Sequence, residues 1–336
     1  MSHLKLTRIE IEGFRRFRAN WRLDLRSPAG TPLDYLVLAG PNGCGKTSVL
    51  EAIVLALGRD DLIARGIESK KHRAAPWFPL EPATRLLAVV DDIDLKRQYI
   101  VERTAEGLRP RARIGVGRPF THEWSVFKEK LAPLSVEYIS SRRLPAHVGP
   151  VQDAIKGQPL DAIEANRIAR FKHRVRQQQG RRVPGYKGPE PLDRVWMDRL
   201  NAFWRTFRDD GTHLVMTLVD PEDLDANEWD LFLYQGDDRI CSIDALSSGE
   251  QEIIALVVPF ITEPFDGLLL IDEPELHLHP QWQGRVLRAL RGLVPDAQMI
   301  VATHADDPWD DALSWERVLL VDPSDPRAHG ERDAES

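Results

Sequence analysis

The sequence contains little cysteine and no long apolar run. Its 336 residues include two cysteines, Cys44 and Cys241, which lie far apart and in no metal-binding spacing. This usage excludes a disulfide framework and favours a reduced, cytoplasmic setting. No apolar run approaches the roughly 18 residues of a membrane-spanning helix. The first residues also lack the apolar centre of a signal peptide, so we expect a cytoplasmic protein without membrane contact.

The chain also lacks an excess of basic residues. Its formal net charge is −7, which excludes a general polyanion-binding protein. The charge is uneven, however, because residues 167–187 carry eight Lys and Arg side chains and no Asp or Glu. Residues 220–238 are in contrast rich in acids. A single basic segment of this kind can still contact a phosphate backbone locally.

Apolar patterning predicts a succession of strands and helices. Strands are expected where apolar residues alternate or form short runs, and helices where they recur every three or four positions. A loop rich in glycine and proline at 180–191 separates two helices in the middle of the chain. The predicted strands are 4–11, 21–25, 35–39, 86–90, 98–101, 136–139, 213–219, 230–234, 240–243, 268–271 and 299–302, and the predicted helices are 48–57, 160–178, 192–208, 249–260 and 280–293.

A glycine-rich segment has the pattern of a phosphate-binding loop. Residues 40–47, GPNGCGKT, fit G-x-x-x-x-G-K-[ST] and lie between an apolar strand and a helix. Glycines let backbone N–H groups point at phosphates, and the start of a helix favours an anion. Lys46 would reach the outer phosphates and Thr47 would ligate Mg²⁺, whereas the alternative is a chance glycine-rich turn. The pattern predicts a site for ATP and Mg²⁺ formed by Asn42, Gly43, Cys44, Gly45, Lys46, Thr47 and Ser48.

Two acids and a histidine follow apolar strands further along the chain. Asp272, after the strand 268–271, would hold Mg²⁺ beside Thr47, and Glu273 would polarise an attacking water. The alternative for these two acids is a solvated turn. His304 similarly follows the strand 299–302, and a structural histidine is the alternative there.

Residues 246–251, LSSGEQ, precede an apolar helix. Ser247 and Gly249 therefore lie at a helix N-terminus, which is an anion-binding position. A serine N-cap with Glu250 in the first turn is the alternative interpretation of the same residues. The residues of this segment alone leave the two interpretations open.

The order of these motifs, with residues 272–280 reading DEPELHLHP, resembles the SMC/RecF/OLD-like branch of ABC ATPases. More narrowly, the chain is similar to the short AAA-21/AAA-15 ATPases found in bacterial defence loci. The resemblance covers about residues 1–145 and 212–321. It implies an α/β ABC ATPase head, with a mixed sheet around a P-loop core, an antiparallel β subdomain and a helical insert.

The resemblance also implies residue roles. Ser247, Gly249 and Glu250 would bind the γ-phosphate of ATP held by a second copy of the chain. In the segment 9–17, IEIEGFRRF, the arginine that follows Phe14, Arg15, would approach the nucleotide, and a solvated turn is the alternative. His304 would contact the γ-phosphate and orient the attacking water. The catalytic residues would then be Lys46, Glu273 and His304.

The sequence departs from the family pattern at two places. No glutamine follows the strand 136–139, where transporter ATPases have one, and Ser141 or Arg142 would take its place. His279 stands where many ABC proteins have an aspartate. With His277 it indicates dimer-interface contacts, whereas the alternative of a metal site other than Mg²⁺ has no third ligand in view.

The expected domains are an ATPase head at 1–145 and 212–321, a basic helical insert at 146–211 and a disordered tail at 322–336. The insert either contacts a nucleic-acid backbone or presents a solvated face that docks an acidic partner. Aromatic residues of its second helix, Trp196, Phe203, Trp204 and Phe207, have the spacing of core packing. The basic residues considered for nucleic acid or a partner are Arg167, Arg170, Lys172, Arg174, Arg176, Arg181 and Arg182.

The predicted function is Mg²⁺-dependent ATP hydrolysis by a homodimer, or a higher oligomer, that closes around two ATP molecules. Hydrolysis would drive a conformational switch in a complex linked to duplex DNA or to anti-phage defence. The alternative is a regulatory ATPase subunit that holds and releases a separately encoded effector, such as a nuclease, without contacting nucleic acid. A transporter role is disfavoured by the missing glutamine and by the DEPELHLHP sequence.

Overall fold

A computed structural model describes residues 4–64, 80–110, 131, 134–141, 150–152, 167–180, 192–223 and 228–321. The chain divides into two compact units. The first comprises Met1–Arg143, Phe265–Pro274 and Pro295–Ser336, and the second comprises Leu144–Pro264 and Glu275–Val294. The predicted head and insert divide the chain differently, because the helices of the predicted insert share the second unit with strands and helices that follow residue 211.

An antiparallel sheet forms one layer of the first unit. Its strands are β1 (Leu4–Glu12), β2 (Trp21–Asp24), β4 (Arg85–Asp92), β5 (Arg97–Thr104) and β6 (Gly107–Pro110), in the order β2-β1-β4-β5-β6. Leu4 and Leu6 are buried, and after a shift in register at Thr7 so are Ile9 and Ile11, so the strand period of two holds on each side of the shift. This sheet is the antiparallel β subdomain that the sequence predicts.

A parallel sheet forms the other layer of the first unit. Its strands are β3 (Tyr35–Ala39), β7 (Val136–Ile139), β12 (Leu268–Asp272), β13 (Gln298–Ala302) and β14 (Arg317–Leu319), in the order β14-β3-β13-β12-β7. Every neighbouring pair is parallel, so all carboxyl ends lie at one edge. Continuous apolar runs are expected of strands buried on both faces. The helices that the structure describes over several residues in this unit are α1 (Lys46–Ala56), which packs against both sheets, α2 (Asp60–Ala64) and α7 (Asp306–Asp311).

In its described residues, the second unit combines a small sheet with four helices. Its strands are β8 (Val151–Gln152), β9 (Thr212–Leu218), β10 (Glu228–Gln235) and β11 (Asp238–Ser242), and β10 pairs antiparallel with the other three. The helices are α3 (Arg167–Gly180), α4 (Leu192–Trp204), α5 (Ser248–Ile261) and α6 (Pro280–Leu293). Both α3 and α4 pack against α5. The predicted core aromatics are confirmed as buried residues: Trp196, Phe203, Trp204 and Phe207.

Most predicted elements agree with the observed ones to within a few residues. The predicted helix 192–208 ends at Trp204, because residues 205–207 form a turn. The strands β6, β8 and β14 and the helices α2 and α7 are not predicted, since all are short. The predicted start of the helix at 160 and the predicted tail at 322–336 lie outside the described residues. Among the helices that are described, none has the length and apolar character to cross a bilayer.

One buried amide links the two sheets of the first unit. Gln298, at the start of β13, is 1% exposed. Its Nε2 donates to the carbonyls of Leu6 and Leu33, at 2.8 Å each, and the Leu6 N–H donates to its Oε1 at 2.7 Å. A buried polar group costs free energy unless it is hydrogen-bonded, so the three bonds stabilise this one packing of the sheets.

We expect Gln298→Leu to lower the free energy of unfolding by about 3 kcal/mol or more, because it leaves three buried backbone groups without their partner. Urea unfolding followed by circular dichroism measures the change. The control is Gln281→Leu, which replaces an exposed glutamine of α6 and should change the free energy of unfolding by no more than about 0.5 kcal/mol. Equal stability of the two variants would contradict the role given to Gln298.

Candidate functional site

The glycine-rich loop connects β3 to α1, as the sequence predicts. Gly40 has φ 147°, and a side chain there would lie 2.1 Å from the Leu320 carbonyl oxygen. Gly45 has φ 107° and caps α1, and a side chain there would lie 2.8 Å from Cδ of Arg16. Backbone conformation and close packing therefore both require glycine at these positions. Because Gly45 brings no side-chain acceptor, the first N–H groups of α1 are suited to bind an anion.

Lys46 lies inside this loop. It is 5% exposed, and its Nζ donates to the carbonyls of Gly40 and Pro41 at 2.8 and 3.3 Å. The same ammonium lies 2.9 Å from Nε2 of His304. Cys44 is buried, with its Sγ 3.9 Å from the ammonium, whereas Asn42 and Gly43 are exposed at the tip of the loop. The loop thus holds one buried cation where outer phosphates are predicted to bind.

Three oxygen-bearing side chains meet next to the loop. The Asp272 carboxylate, at the end of β12, is fully buried. It accepts hydrogen bonds from the hydroxyls of Thr47, at 2.9 Å, and of Ser141, at 2.9 Å. Ser141 follows β7, the strand next to β12. Carboxylate and hydroxyl oxygens are ligands that Mg²⁺ accepts, so the donor set fits this ion. Of the two residues considered for the missing glutamine, Ser141 reaches this cluster, and Arg142 lies outside the described residues.

The two other predicted catalytic residues lie beside this cluster. Glu273 has a left-handed backbone, with φ 50°, and its N–H donates to the Ala302 carbonyl at 2.7 Å. Its Oε1 is 3.3 Å from Nε2 of His304. The imidazole of His304 therefore lies within reach of both the Lys46 ammonium and the Glu273 carboxylate. Both Glu273 and His304 are about one-third exposed, so water can reach them.

The two adjacent arginines of the segment 14–17 point to different places. Arg15 has φ 53°, donates to the Ser48 hydroxyl at 3.3 Å and pairs with Glu51 on α1. Arg16 instead donates to the carbonyl of Gly43 in the phosphate loop. Arg15, which is predicted to approach the nucleotide, thus contacts Ser48 of the predicted site, and Arg16, which is not among the predicted site residues, contacts the loop at Gly43. The aliphatic part of the Arg16 side chain occupies the space that a side chain at position 45 would need. This contact between Arg16 and Gly45 could not be predicted from the sequence.

Residues 246–251, here called the signature turn, belong to the second unit. Ser247 is exposed and caps α5: its Oγ accepts from the Glu250 N–H at 3.4 Å, and its own N–H donates to Glu250 Oε2 at 3.0 Å. Gly249 lies against the backbone of His277, where a side chain would come within 2.9 Å of the carbonyl oxygen. The N-cap interpretation thus holds, and it leaves the predicted anion-binding helix end exposed at Ser247.

The two histidines of the 272–280 segment have structural contacts. His279 caps α6, with its Nδ1 accepting from the Gln281 N–H at 3.3 Å, and its ring contacts Trp282. His277 has φ 67° and supplies the carbonyl that faces Gly249. Within the described part of the chain, no group of three or more His, Cys, Asp and Glu side chains is arranged to hold a metal ion.

The basic residues of α3 are engaged within the second unit. Lys172 is fully buried and forms ion pairs with Asp230 and, at 3.6 Å, with Asp244. It belongs to a core ion pair, so neither alternative considered from the sequence, contact with nucleic acid or a solvated docking face, describes its position. Arg174 donates to Thr262 Oγ1 and to Glu263, and Arg176 lies over the ring of Trp229 at 4.4 Å. Arg167 and Arg170 are half-buried, and Arg181 and Arg182 lie outside the described residues.

The two sheets and the site together define a P-loop head of the ABC type. Residues 163–306 match the family AAA_21, described as "AAA domain, putative AbiEii toxin, Type IV TA system", and residues 8–83 match AAA_23, an "AAA domain". Two segments of the chain are thus similar to AAA-domain families, and ATP is the ligand that these families imply. The predicted resemblance is confirmed.

Solved structures agree with this fold. The SMC head bound to the C-winged helix domain of ScpA is 17% identical, with 92% of each chain covered and a TM-score of 0.57. An SMC head with an extended coiled coil, bound to the C-terminal domain of ScpA derived from Pyrococcus furiosus, is 15% identical over 92% of each chain, with a TM-score of 0.54. The chain therefore has the fold of an SMC head, and the predicted fold class is confirmed.

Curated relatives match parts of the chain. The Septu protein PtuA of Bacillus thuringiensis is 46% identical over 43 residues, which are 13% of this chain and 11% of the relative. The "Retron Vc95 probable ATPase" of Vibrio cholerae serotype O1 biovar El Tor is 40% identical over 76 residues, 19% of this chain and 15% of the relative. The Septu protein PtuA of Bacillus mycoides (strain KBAB4) is 23% identical over 315 residues, 89% of this chain and 38% of the relative. The chain thus spans well under half the length of each of these relatives.

We expect Ser141→Ala to weaken the binding of a divalent ion about tenfold in the presence of ATP, because the hydroxyl both orients Asp272 and adds an oxygen beside it. Electron paramagnetic resonance of Mn²⁺ titrated into the protein with ATP measures the affinity. The matched control is Ser135→Ala, which removes an exposed hydroxyl just before β7, away from Asp272. Unchanged Mn²⁺ affinity in Ser141→Ala would remove Ser141 from the site.

Proposed function

We propose that the chain hydrolyses Mg·ATP as a homodimer, in which the signature turn of each copy completes the phosphate site of the other. The observation that carries this proposal is the meeting of Lys46, Asp272, Glu273 and His304 at the carboxyl edge of one parallel sheet. These side chains provide a cation for phosphates, ligands for Mg²⁺ and a carboxylate beside a histidine. Phosphoryl transfer to water needs this combination.

Binding begins at the loop and α1. The N–H groups at the start of α1 face the β-phosphate, and the Lys46 ammonium exchanges the Gly40 and Pro41 carbonyls for outer phosphate oxygens. Thr47, Asp272 and Ser141 would hold Mg²⁺, which supplies positive charge to the phosphates when bound. Arg16 holds the tip of the loop through the Gly43 carbonyl and so limits its movement.

Hydrolysis uses Glu273 and His304. The left-handed backbone of Glu273 turns its carboxylate away from buried Asp272 and towards His304, where water has access. Glu273 accepts a proton from the attacking water, and His304 orients that water and contacts the γ-phosphate. Because His304 also lies next to Lys46, one side chain connects the water site to the phosphate site.

The second copy supplies the signature turn. Ser247 is exposed at the N-terminus of α5, a helix of 14 residues, and this position favours the γ-phosphate of ATP held by the partner. ATP then binds to both copies, and hydrolysis removes the phosphate that both contact. The two states differ in their contacts with the nucleotide, which is what a conformational switch requires.

The biological setting that we propose is a cytoplasmic complex of anti-phage defence, which the names of the Septu and retron relatives support. Within it, the dimer or a higher oligomer would control a separately encoded effector, such as a nuclease, or act on duplex DNA. The engaged cations of α3 favour the effector over direct DNA contact, because Lys172, Arg174 and Arg176 already have partners in the second unit.

Glu273→Gln should trap the closed dimer. We expect its turnover to fall at least about a hundredfold, since the base is lost, while ATP still binds. Light scattering after size exclusion with Mg·ATP should then give the mass of two copies. The matched control is Glu273→Gln combined with Ser247→Arg, which should bind ATP and remain one copy. A single-copy mass for Glu273→Gln under saturating ATP would count decisively against the proposed dimer.

Duplex DNA separates the two proposed roles. We expect ATP turnover to change little when duplex DNA is added, because the described cations of α3 are paired or half-buried. Turnover is measured with and without DNA at about 50 and about 200 mM salt. A strong stimulation that disappears at the higher salt would instead support the DNA-linked role and would direct attention to Arg181 and Arg182.

A further inference from the structure

A chain of charged contacts leads from α4 to the signature turn. Arg208, four residues after the end of α4, forms an ion pair with Oε1 of Glu250. The other carboxylate oxygen of Glu250, Oε2, accepts from the Ser247 N–H at 3.0 Å and from the Ser247 hydroxyl at 2.7 Å. Arg208 also donates from Nε to Asp210 at 2.9 Å. Each member therefore fixes the position of the next, and the chain ends at the serine proposed to bind phosphate.

Glu250 places a negative charge beside the proposed position of the partner's γ-phosphate. Its carboxylate is 7% exposed and lies within hydrogen-bond distance of the side chain that would contact the γ-phosphate. Two anions this close repel each other, and the repulsion is stronger where water is excluded. Arg208 brings a positive charge to the same carboxylate.

Arg208 keeps this charge at any ordinary pH. The hydrogen bond with Asp210, which outweighs the opposing effect of burial, raises the pKa of the Arg208 guanidinium further. Burial by itself would raise the pKa of Asp210, but hydrogen bonds from Thr212 and Arg208 lower it to about 2. Both groups therefore remain ionised near neutral pH.

We propose that Arg208 is a positioning residue for the signature turn: it neutralises and holds Glu250, so that Ser247 can donate its hydroxyl to the partner's phosphate. The proposal rests on the proposed function, because it assumes that the partner copy's ATP binds at Ser247. In the structure the Ser247 hydroxyl donates to Glu250. A phosphate oxygen takes over as acceptor, and the pairing with Arg208 keeps the released carboxylate from repelling it.

The other side of the signature turn is fixed independently. Lys172 of α3 pairs with Asp244 in the short helical turn Ile243–Ala245, just before Ser247. Gln251 of α5 donates from Nε2 to the carbonyls of Ile243, Asp244 and Leu246 at 3.2, 3.0 and 3.2 Å. With the backbone held in this way, the adjustable part of the turn is the hydrogen bonding of the Ser247 side chain. Arg208 acts on this part.

The test compares variants in the Glu273→Gln background. Arg208→Ala should leave the affinity of the single copy for a fluorescent ATP analogue within about twofold, because the P-loop is untouched. It should weaken ATP-dependent dimerisation about tenfold or more, the effect expected from losing one hydrogen-bonded charge partner. Adding Glu250→Gln should restore dimerisation, since glutamine serves equally well in the capping arrangement with Ser247 but carries no charge. The matched control is Arg205→Ala, an exposed arginine three residues before Arg208.

The outcomes separate this proposal from the one that it rests on. If Glu273→Gln alone remains a single copy with ATP, the sandwich dimer fails and the role of Arg208 fails with it. If Glu273→Gln dimerises and Arg208→Ala dimerises as well, only the role of Arg208 is overturned. Weak dimerisation that Glu250→Gln does not restore overturns neutralisation as the mechanism. Should Arg208→Ala lose its cooperative thermal transition, Arg208→Gln replaces it, with the same expected loss and the same rescue by Glu250→Gln.

Discussion

The parallel pairing of β3, β13, β12 and β7 is the constraint on which the candidate site depends. In such a sheet every strand runs in the same direction, so the segments that follow the strands leave at a common edge. The phosphate loop, His304, the acids Asp272 and Glu273, and Ser141 follow these four strands in that spatial order. Residues far apart in the sequence thus meet without long loops. The buried Asp272 carboxylate adds a second requirement, because it is stable there only with hydroxyl or metal partners.

Much of this site could be predicted because each motif follows an apolar strand and has a distinctive composition. The sequence locates Lys46, Thr47, Asp272, Glu273 and His304 in this way, and the structure brings them together. The sequence does not show in which direction side chains point in turns. Arg15 and Arg16 are adjacent and chemically identical, yet the left-handed backbone at Arg15 sends one to Glu51 and the other to Gly43. For the same reason, the sequence does not decide whether Ser141 or Arg142 takes the place of the missing glutamine.

The basic segment shows a different limit of sequence analysis. Counting charges along 167–187 suggests a positive surface, because the partners of those charges are distant in sequence. Lys172 meets Asp230 and Asp244 only after the chain has passed through α4 and β9, so its burial could not be anticipated. The acidic stretch 220–238 supplies one of these partners, Asp230. The helices of the predicted insert therefore support α5 and the signature turn in addition to presenting a surface.

The left-handed conformation of Glu273 gives that position a conflict between stability and function. A residue with a β-carbon and φ near 50° is disfavoured by about 1 kcal/mol relative to glycine, and β-branched side chains are excluded more strongly. Glycine would relax the backbone but would remove the carboxylate, whereas Asn tolerates the conformation but cannot accept a proton. Substitutions of this residue are therefore limited both by the backbone conformation and by the need for a carboxylate. A version of the protein selected for heat resistance alone would be expected to drift away from glutamate at this position.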